Sequence, residues 1–344
     1  DGLRLLIGAT IEDQNASALV FDSATIIVDI PRSIWERRWI LEDFAVETLE
    51  INVEESENGI WRLAGFENGD NSQLDFNDLF QSLQRISLLN LRDVGIKFLT
   101  KQGSSFSLHN GIAAILNEGE SHFLHVNANL DQNTQQIALS FEVTGNELSE
   151  IDGRIHVALP EANYSKLFVG QSTSSFSIDE LMGGLNFWVE IEDGQFSRGV
   201  TELFVEKLAL QRPEMEPIIF NDMNGVSSLN FSKIKDEWEL AFSDLSFYWK
   251  EHSLQNFNIY SRYNADNGIS LSADYIDLAF LSQFALGAGF LSGDPADQVA
   301  RYGLKGGLEN LYLFVPFEEA DDQSLRLKTN IIDFTDQADI NKFR

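Results

Sequence analysis

Apolar side chains recur at every second position over long stretches of this chain, and that spacing constrains its fold more than any other feature. Leu185, Phe187, Val189 and Ile191 alternate with Asn186, Trp188, Glu190 and Glu192, and Ile137, Leu139, Phe141 and Val143 repeat the rhythm. The same alternation runs through Leu49-Ile51-Val53, Trp238-Leu240-Phe242, Leu245-Phe247-Trp249, Phe257-Ile259 and Ile269-Leu271-Ala273. Successive side chains of a strand point to opposite faces, so each segment predicts a strand with one apolar face. Between them lie short polar turns such as Glu57-Asn58-Gly59, Asp131-Gln132-Asn133, Asp193-Gly194 and Asn264-Ala265-Asp266-Asn267-Gly268, whose residue types tolerate the positive φ of hairpins. Parallel pairing needs a crossover helix between most strands, and the sequence leaves no room for it. The expected fold is therefore mainly β, a long antiparallel meander.

A few stretches depart from this period. Phe76, Leu79, Phe80 and Leu83 fall at helical spacing and predict an amphipathic helix near 76–85. A second helix is expected over 275–290, from Tyr275 to Phe290. A third is expected over 294–302, with Asp294 as N-cap, Pro295 in the first turn and Gly303 as its stop. Asp179 to Met182 is a further helical candidate. Helices are the minority, placed as caps on a sheet. No proline-rich or glycine-serine linker interrupts the chain and its 6 prolines are scattered, so residues 1–344 read as one continuous region. A loose repeat links Leu41-Glu42-Asp43-Phe44, Leu88-Leu89-Asn90-Leu91 and Leu308-Glu309-Asn310-Leu311, as expected of a quasi-repetitive sheet.

Composition removes several classes of function. With 24 basic against 54 acidic side chains the net charge is −30, which repels nucleic acid and anionic headgroups alike, so nucleic acid is not expected as a partner. The chain has no cysteine, hence no disulfide, thiolate nucleophile or thiolate metal site. No apolar run reaches the roughly 20 residues that span a bilayer. The chain begins at Asp1-Gly2 and ends at Phe343-Arg344, and reads as a fragment of a longer protein.

The search for chemistry is equally bare. The 5 histidines include His122 and His125, whose spacing in a strand sends them to opposite faces, away from any shared metal. Asp70 to Asp78 has the flavour of a calcium loop but lacks its glycine and terminal glutamate, and Asp75 is better read as a helix cap. Gly287-Ala288-Gly289 with Gly293 resembles a damaged dinucleotide fingerprint, but it closes a helix instead of opening one. No nucleophile elbow, phosphate loop or zinc-protease motif is present. Catalytic residues, metal and cofactor are all expected to be absent.

The order of segments carries a resemblance. Trp35-Glu36-Arg37-Arg38-Trp39-Ile40-Leu41-Glu42-Asp43-Phe44 is followed by Leu49-Glu50-Ile51 and by Asn58-Gly59-Ile60-Trp61-Arg62-Leu63-Ala64-Gly65, a strand, strand and turn series. A helix around Phe80 leads into Ile86-Ser87-Leu88-Leu89-Asn90-Leu91-Arg92-Asp93, and Leu271 to Leu278 precedes the later helices and Gly303 to Leu308. Over nearly its whole length the chain resembles the N-terminal periplasmic part of the YhdP family of AsmA-like, bridge-like lipid transfer proteins. It departs from that family in acidity, carrying Glu and Asn where arginine-rich outer strands are expected.

The resemblance implies an extended, curved sheet forming an open, taco-like apolar groove. It implies a periplasmic protein, tethered to the inner membrane by an N-terminal anchor absent from this chain. Such a protein shields phospholipid acyl chains on their way between inner and outer membranes, without catalysis. About thirty acyl methylenes in water cost on the order of 25 kcal/mol, so a carrier must cover them continuously. Alternation by itself favours a dry sandwich core, in which the 26 phenylalanines would be filler. Under the groove reading the lipid-facing candidates are Phe187, Val189, Ile191, Leu240, Phe242, Phe247, Ile259 and Leu271. Two other classes stay open. A structural or adhesive β-domain of the cell envelope predicts a closed core, and an envelope-polymer hydrolase predicts a cleft with two close, perturbed carboxylates.

Overall fold

The alternating segments are strands throughout the computed structural model, which describes residues 3–7, 19–37, 39–56, 61–63, 76–101, 103, 105–131, 135–165, 177–212, 216–233, 236–265, 267–287, 291, 293–317 and 325–335. The turn at Glu57 to Gly59, the calcium-like residues 70–75, and Ala288 and Gly289 lie outside the described residues. The chain forms two units, residues 1–162 with 184–197 and residues 163–183 with 198–344.

In the first unit β1 (Leu3–Ile7) pairs with β2 (Leu19–Val28). A short helix, α1 (Ile30–Glu36), leads to β3 (Leu41–Glu55), which pairs with β2 on one side and with the short β4 (Trp61–Leu63). After α2 (Phe76–Leu83) the chain returns to the same end and lays β5 (Ile86–Leu99) parallel to β3, Leu41 beside Ile86 and Glu54 beside Leu99. A parallel neighbour needs such a return, and β4 and α2 lie in the connection. The antiparallel meander then runs through β6 (Ser105–Glu118), β7 (Ser121–Leu130), β8 (Gln136–Thr144) and β9 (Asp152–Asn163) to β10 (Ser177–Glu192), of which the part from Gly184 belongs to this unit. In the second unit β11 (Gln195–Gln211), β12 (Ile218–Ser232), β13 (Glu237–Trp249), β14 (His252–Asn264) and β15 (Gly268–Asp277) form an antiparallel ladder. Helices α3 (Leu278–Gly287) and α4 (Asp294–Tyr302) precede β16 (Lys305–Pro316) and β17 (Arg326–Thr335). Among the described residues the fold is mainly β, mostly antiparallel, with few short helices.

A row of backbone irregularities crosses each unit. Thr48, Asp93 and Asn110 in β3, β5 and β6 have positive φ, as do Asp222, Asp244, Asn256, Asn310 and Asp333 in β12, β13, β14, β16 and β17. Register slips accompany them between β5 and β6, β6 and β7, β12 and β13, β13 and β14, and β16 and β17. These are β-bulges, and Asp and Asn suit them because they tolerate the left-handed region. Each bulge shifts the alternation by one residue, so that Phe242 and Leu245 share a face although an odd number separates them. The runs Trp238-Leu240-Phe242 and Leu245-Phe247-Trp249 are thus two halves of one strand. Side chains satisfy the freed amides: Asp244 N–H donates to Asn258 Oδ1 at 3.0 Å, and Asn256 N–H to Ser246 Oγ at 3.0 Å. A bulge bends its strand and sharpens the twist, so a row of them curls each sheet.

Several local expectations are corrected. Asp179 to Met182 lies inside β10, because Tyr164 N–H donates to Leu181 O at 2.8 Å and Leu181 N–H to Ser165 Oγ at 3.0 Å, while Gly183 lies so close to Phe204 O that a Cβ would collide. Pairing partners override a weak local helical pattern. The helix expected from Tyr275 starts at Leu278 because β15 extends to Asp277, whose carboxylate caps it by accepting from Phe280 N–H at 2.7 Å. The N-cap position of α4 is Gly293, and Asp294 stands in its first turn. Trp35 and Glu36 close a helix that the alternation gave no sign of, and β3 begins only at Leu41.

The bulges carry a checkable cost. Replacing Asp244 by Val, which resists the left-handed region, is expected to destabilise the protein by about 1–2 kcal/mol. Asp244→Gly should stay within about 0.5 kcal/mol. Urea midpoints at unchanged slope read the difference.

Candidate functional site

The registers place one apolar face across the second unit. Leu229 lies opposite Leu240 and Phe231 opposite Trp238. Phe242 lies opposite Ile259, which lies opposite Ala273, and Ala273 opposite Leu311. Tyr263, Ile269 and Val315 form a second row, and Leu271, Leu313 and Leu327 a third. Alternation sends Glu239, Tyr260, Arg262 and Ser270 to the opposite face.

Helix α3 covers one end of this apolar face. Phe280 meets Trp249 edge-on at 5.9 Å and Phe284 lies 5.3 Å from the same ring, while Phe220 and Phe247 meet at 90°. Ile218, Phe247, Trp249 and Phe280 form a buried cluster, in which Trp249 is 2% exposed and Phe247 8%. Away from the helix the same face is open. Leu240 is 36% exposed, Tyr263, Ile269, Val315 and Leu327 are more so, and Phe242, Ile259 and Leu271 are half-buried.

The first unit repeats the arrangement. Ile137, Leu139, Phe141 and Val143 of β8 lie opposite Ala128, Val126, Leu124 and His122 of β7. Phe141 and Leu139 then lie opposite Ile155 and Val157 of β9. Trp188 stacks on His156 at 4.9 Å on the other face, so Phe187, Val189 and Ile191 belong to the apolar face, where all three are half-buried. Here α2 closes one end. Phe80 meets the buried His122 edge-on at 5.3 Å. Asn117 Nδ2 donates to the carbonyls of Leu83 at 2.9 Å and Ile86 at 2.6 Å, and the His122 ring lies between Asn117 Oδ1 at 2.7 Å and Gly145 O at 2.9 Å.

The eight sequence candidates thus fall into two sets, Phe187, Val189 and Ile191 in the first unit and Leu240, Phe242, Phe247, Ile259 and Leu271 on one face of the second. Phe247 sits beneath α3 in the buried cluster. Tyr263, Ile269, Leu313 and Val315 belong to the same surface and were not singled out, although the alternation of Leu311, Leu313 and Val315 carried the signal.

Charge is concentrated on the other face. Arg262 pairs with Glu237 at 2.9 Å and Glu239 at 2.8 Å. The Tyr260 hydroxyl and Arg262 hold the Glu239 carboxyl below its usual range, the opposite of what a general acid requires. His125 lies off the apolar face, 3.0 Å from Ser140 Oγ and 2.8 Å from Asn127 Nδ2. Among the described residues no group of three or more His, Asp or Glu could hold a metal ion.

Two units, each with one apolar face covered by a helix at one end and half-buried or, in the second unit, open beyond it, define a β-protein with an apolar surface to shield. The YhdP protein family matches residues 5–341, and the chain belongs to that AsmA-like family of envelope proteins. No curated protein and no solved structure matches it. None of the helices among the described residues is long and apolar enough to cross a membrane.

The two regions of the face should respond differently to truncation. Trp249→Ala, which empties a covered site, is expected to cost about 3–5 kcal/mol. Leu240→Ala, on the open part, should cost less than about 1 kcal/mol. Thermal or urea unfolding of the two variants makes the comparison.

Proposed function

We propose that the apolar faces carry phospholipid acyl chains, and that the chain is a periplasmic lipid-transport segment working between inner and outer membranes. In this reading the full-length protein is tethered to the inner membrane. The observation that carries the reading is the exposure of the face: Leu240, Tyr263, Ile269 and Val315 stand open on one side of a sheet that a dry sandwich would have covered. Water gains nothing from such a surface, whereas acyl chains laid along it lose their own hydration cost of about 0.8 kcal/mol per methylene. The backbone stays hydrogen-bonded within the ladders, so only side chains meet the lipid, and movement along the face breaks no hydrogen bond. No bond of the cargo is made or broken. Membership of the YhdP family supports the same reading.

Native mass spectrometry with lipid extraction tests this on the chain purified from a bacterial host. The wild type should carry phospholipid in stoichiometric amount, and Phe187→Glu and Phe242→Glu should each lower it several-fold while remaining folded by circular dichroism. Ser270→Glu, on the polar face, should leave it unchanged. A folded wild type that stays lipid-free after incubation with liposomes would instead favour a structural β-domain.

A further inference from the structure

The turn between β2 and β3 holds apolar side chains out into water on a hydrogen-bonded support. Asp29 caps α1, its carboxylate accepting from Arg32 N–H at 2.9 Å, and Pro31 occupies the first turn. Arg37 ends the helix in the left-handed region, its N–H directed at Ile34 O. Asp29 N–H then donates to Ile40 O at 3.0 Å and Ile40 N–H to Ser33 Oγ at 2.9 Å, which ties the end of the excursion back to its start. Ile40 and Val28 are buried beneath it. On the solvent side Ile34 is 72% exposed, Trp35 88% and Trp39 75%.

Three other tryptophans are placed differently. Trp249 is almost wholly buried, Trp188 stacks on His156, and Trp238 lies 4.5 Å from Phe231. The charge is out of character. Between Ile30 and Ile40 the sequence has three arginines, Arg32, Arg37 and Arg38, and one acid, Glu36, in a chain whose acids outnumber its bases 54 to 24. Arg85 joins this corner, since Leu41 N–H is directed at its carbonyl.

We propose that the α1 turn is a bilayer-docking element, inserting Trp35, Trp39 and Ile34 at the interface of an anionic phospholipid membrane while Arg32 and Arg37 meet lipid phosphates. Tryptophan favours the boundary between headgroups and acyl chains, where its ring is buried and its N–H stays wet. Arginine pairs bidentately with phosphate oxygens. A bilayer is favoured over a protein partner by this pairing of protruding aromatic rings with basic charge in an otherwise acidic chain, because anionic headgroups repel the remainder and accept this corner alone. The acidic turns at Glu118–Glu120 and Glu147–Glu150 lie at the same end of the strands, where Gln84 Nε2 donates to Asn146 O at 3.1 Å, and they bound the contact on that side. The inference does not depend on lipid carriage, since a surface contact needs no occupied face.

Flotation of the chain with vesicles of phosphatidylethanolamine and phosphatidylglycerol tests it. The wild type should float with the vesicles, and its tryptophan emission should be quenched by brominated acyl chains. Trp35→Ser with Trp39→Ser should reduce binding at least tenfold and abolish the quenching, and Arg32→Gln with Arg37→Gln should remove the preference for phosphatidylglycerol over neutral vesicles. Both double variants should keep the wild-type melting temperature and its extractable lipid, which separates this outcome from that of the carriage experiment. Absence of flotation by the folded wild type, self-association through the turn without vesicle binding, or undiminished binding by the tryptophan variant would overturn the proposal.

Discussion

A sheet that gathers most of its apolar side chains on one face must either cover that face or leave it to something else, and much of this protein follows from how it meets that demand. Strict alternation cannot be maintained through a strand that also bends, because bending is achieved with an extra residue and the extra residue inverts the faces. The chain resolves the conflict by letting its sequence slip where its backbone slips. At Asp93, apolar residues change from Leu89 and Leu91 to Val94 and Ile96, and at Asp244 from Leu240 and Phe242 to Leu245 and Phe247. The bulge and the phase shift cancel, so the face stays apolar through the bend. In the first unit this seam is also where the buried cluster of Ala24, Val46, Leu49 and Val94 sits.

The covering of the face is local. Helix α3 seals Trp249 and Phe247, and α2 closes on His122, each at one end of its own sheet. These ends supply the well-packed anchors of the structure, while the remainder of each face stays half-buried or open. Stability and a usable apolar surface are therefore assigned to different stretches of the same strands. Charge is partitioned in the same way, with Arg262, Glu237 and Glu239 gathered on the polar face.

The strands were legible because alternation is a direct image of the pleat, and the helices at 76–83 and 294–302 because their spacing or their proline and glycine marked them. The parallel alignment of β5 with β3 was not legible, since it depends on which end the chain returns to and not on any residue type. Asp179 to Met182 misled because its helical look is local, whereas its pairing with Tyr164 is not. Helix α1 had a signal in Asp29-Ile30-Pro31, a cap followed by a first-turn proline, that the neighbouring strand pattern masked. Of the candidate face, the residues on alternating runs could be read, but whether Phe247 is covered and Leu240 open is decided by where α3 falls, a matter of tertiary packing that alternation does not encode.

The most direct test of the account is to ask whether lipid contact follows the pleat. A photoreactive benzophenone side chain placed singly at Leu240, Phe242, Ile259 or Leu271, and at the intervening Glu239, Ala241, Tyr260 or Ser270, is irradiated in cells and adducts with phospholipid are measured by mass. The account predicts adducts at the first set and none above background at the second. Equal labelling of both sets, or none at either in a folded protein, would contradict it.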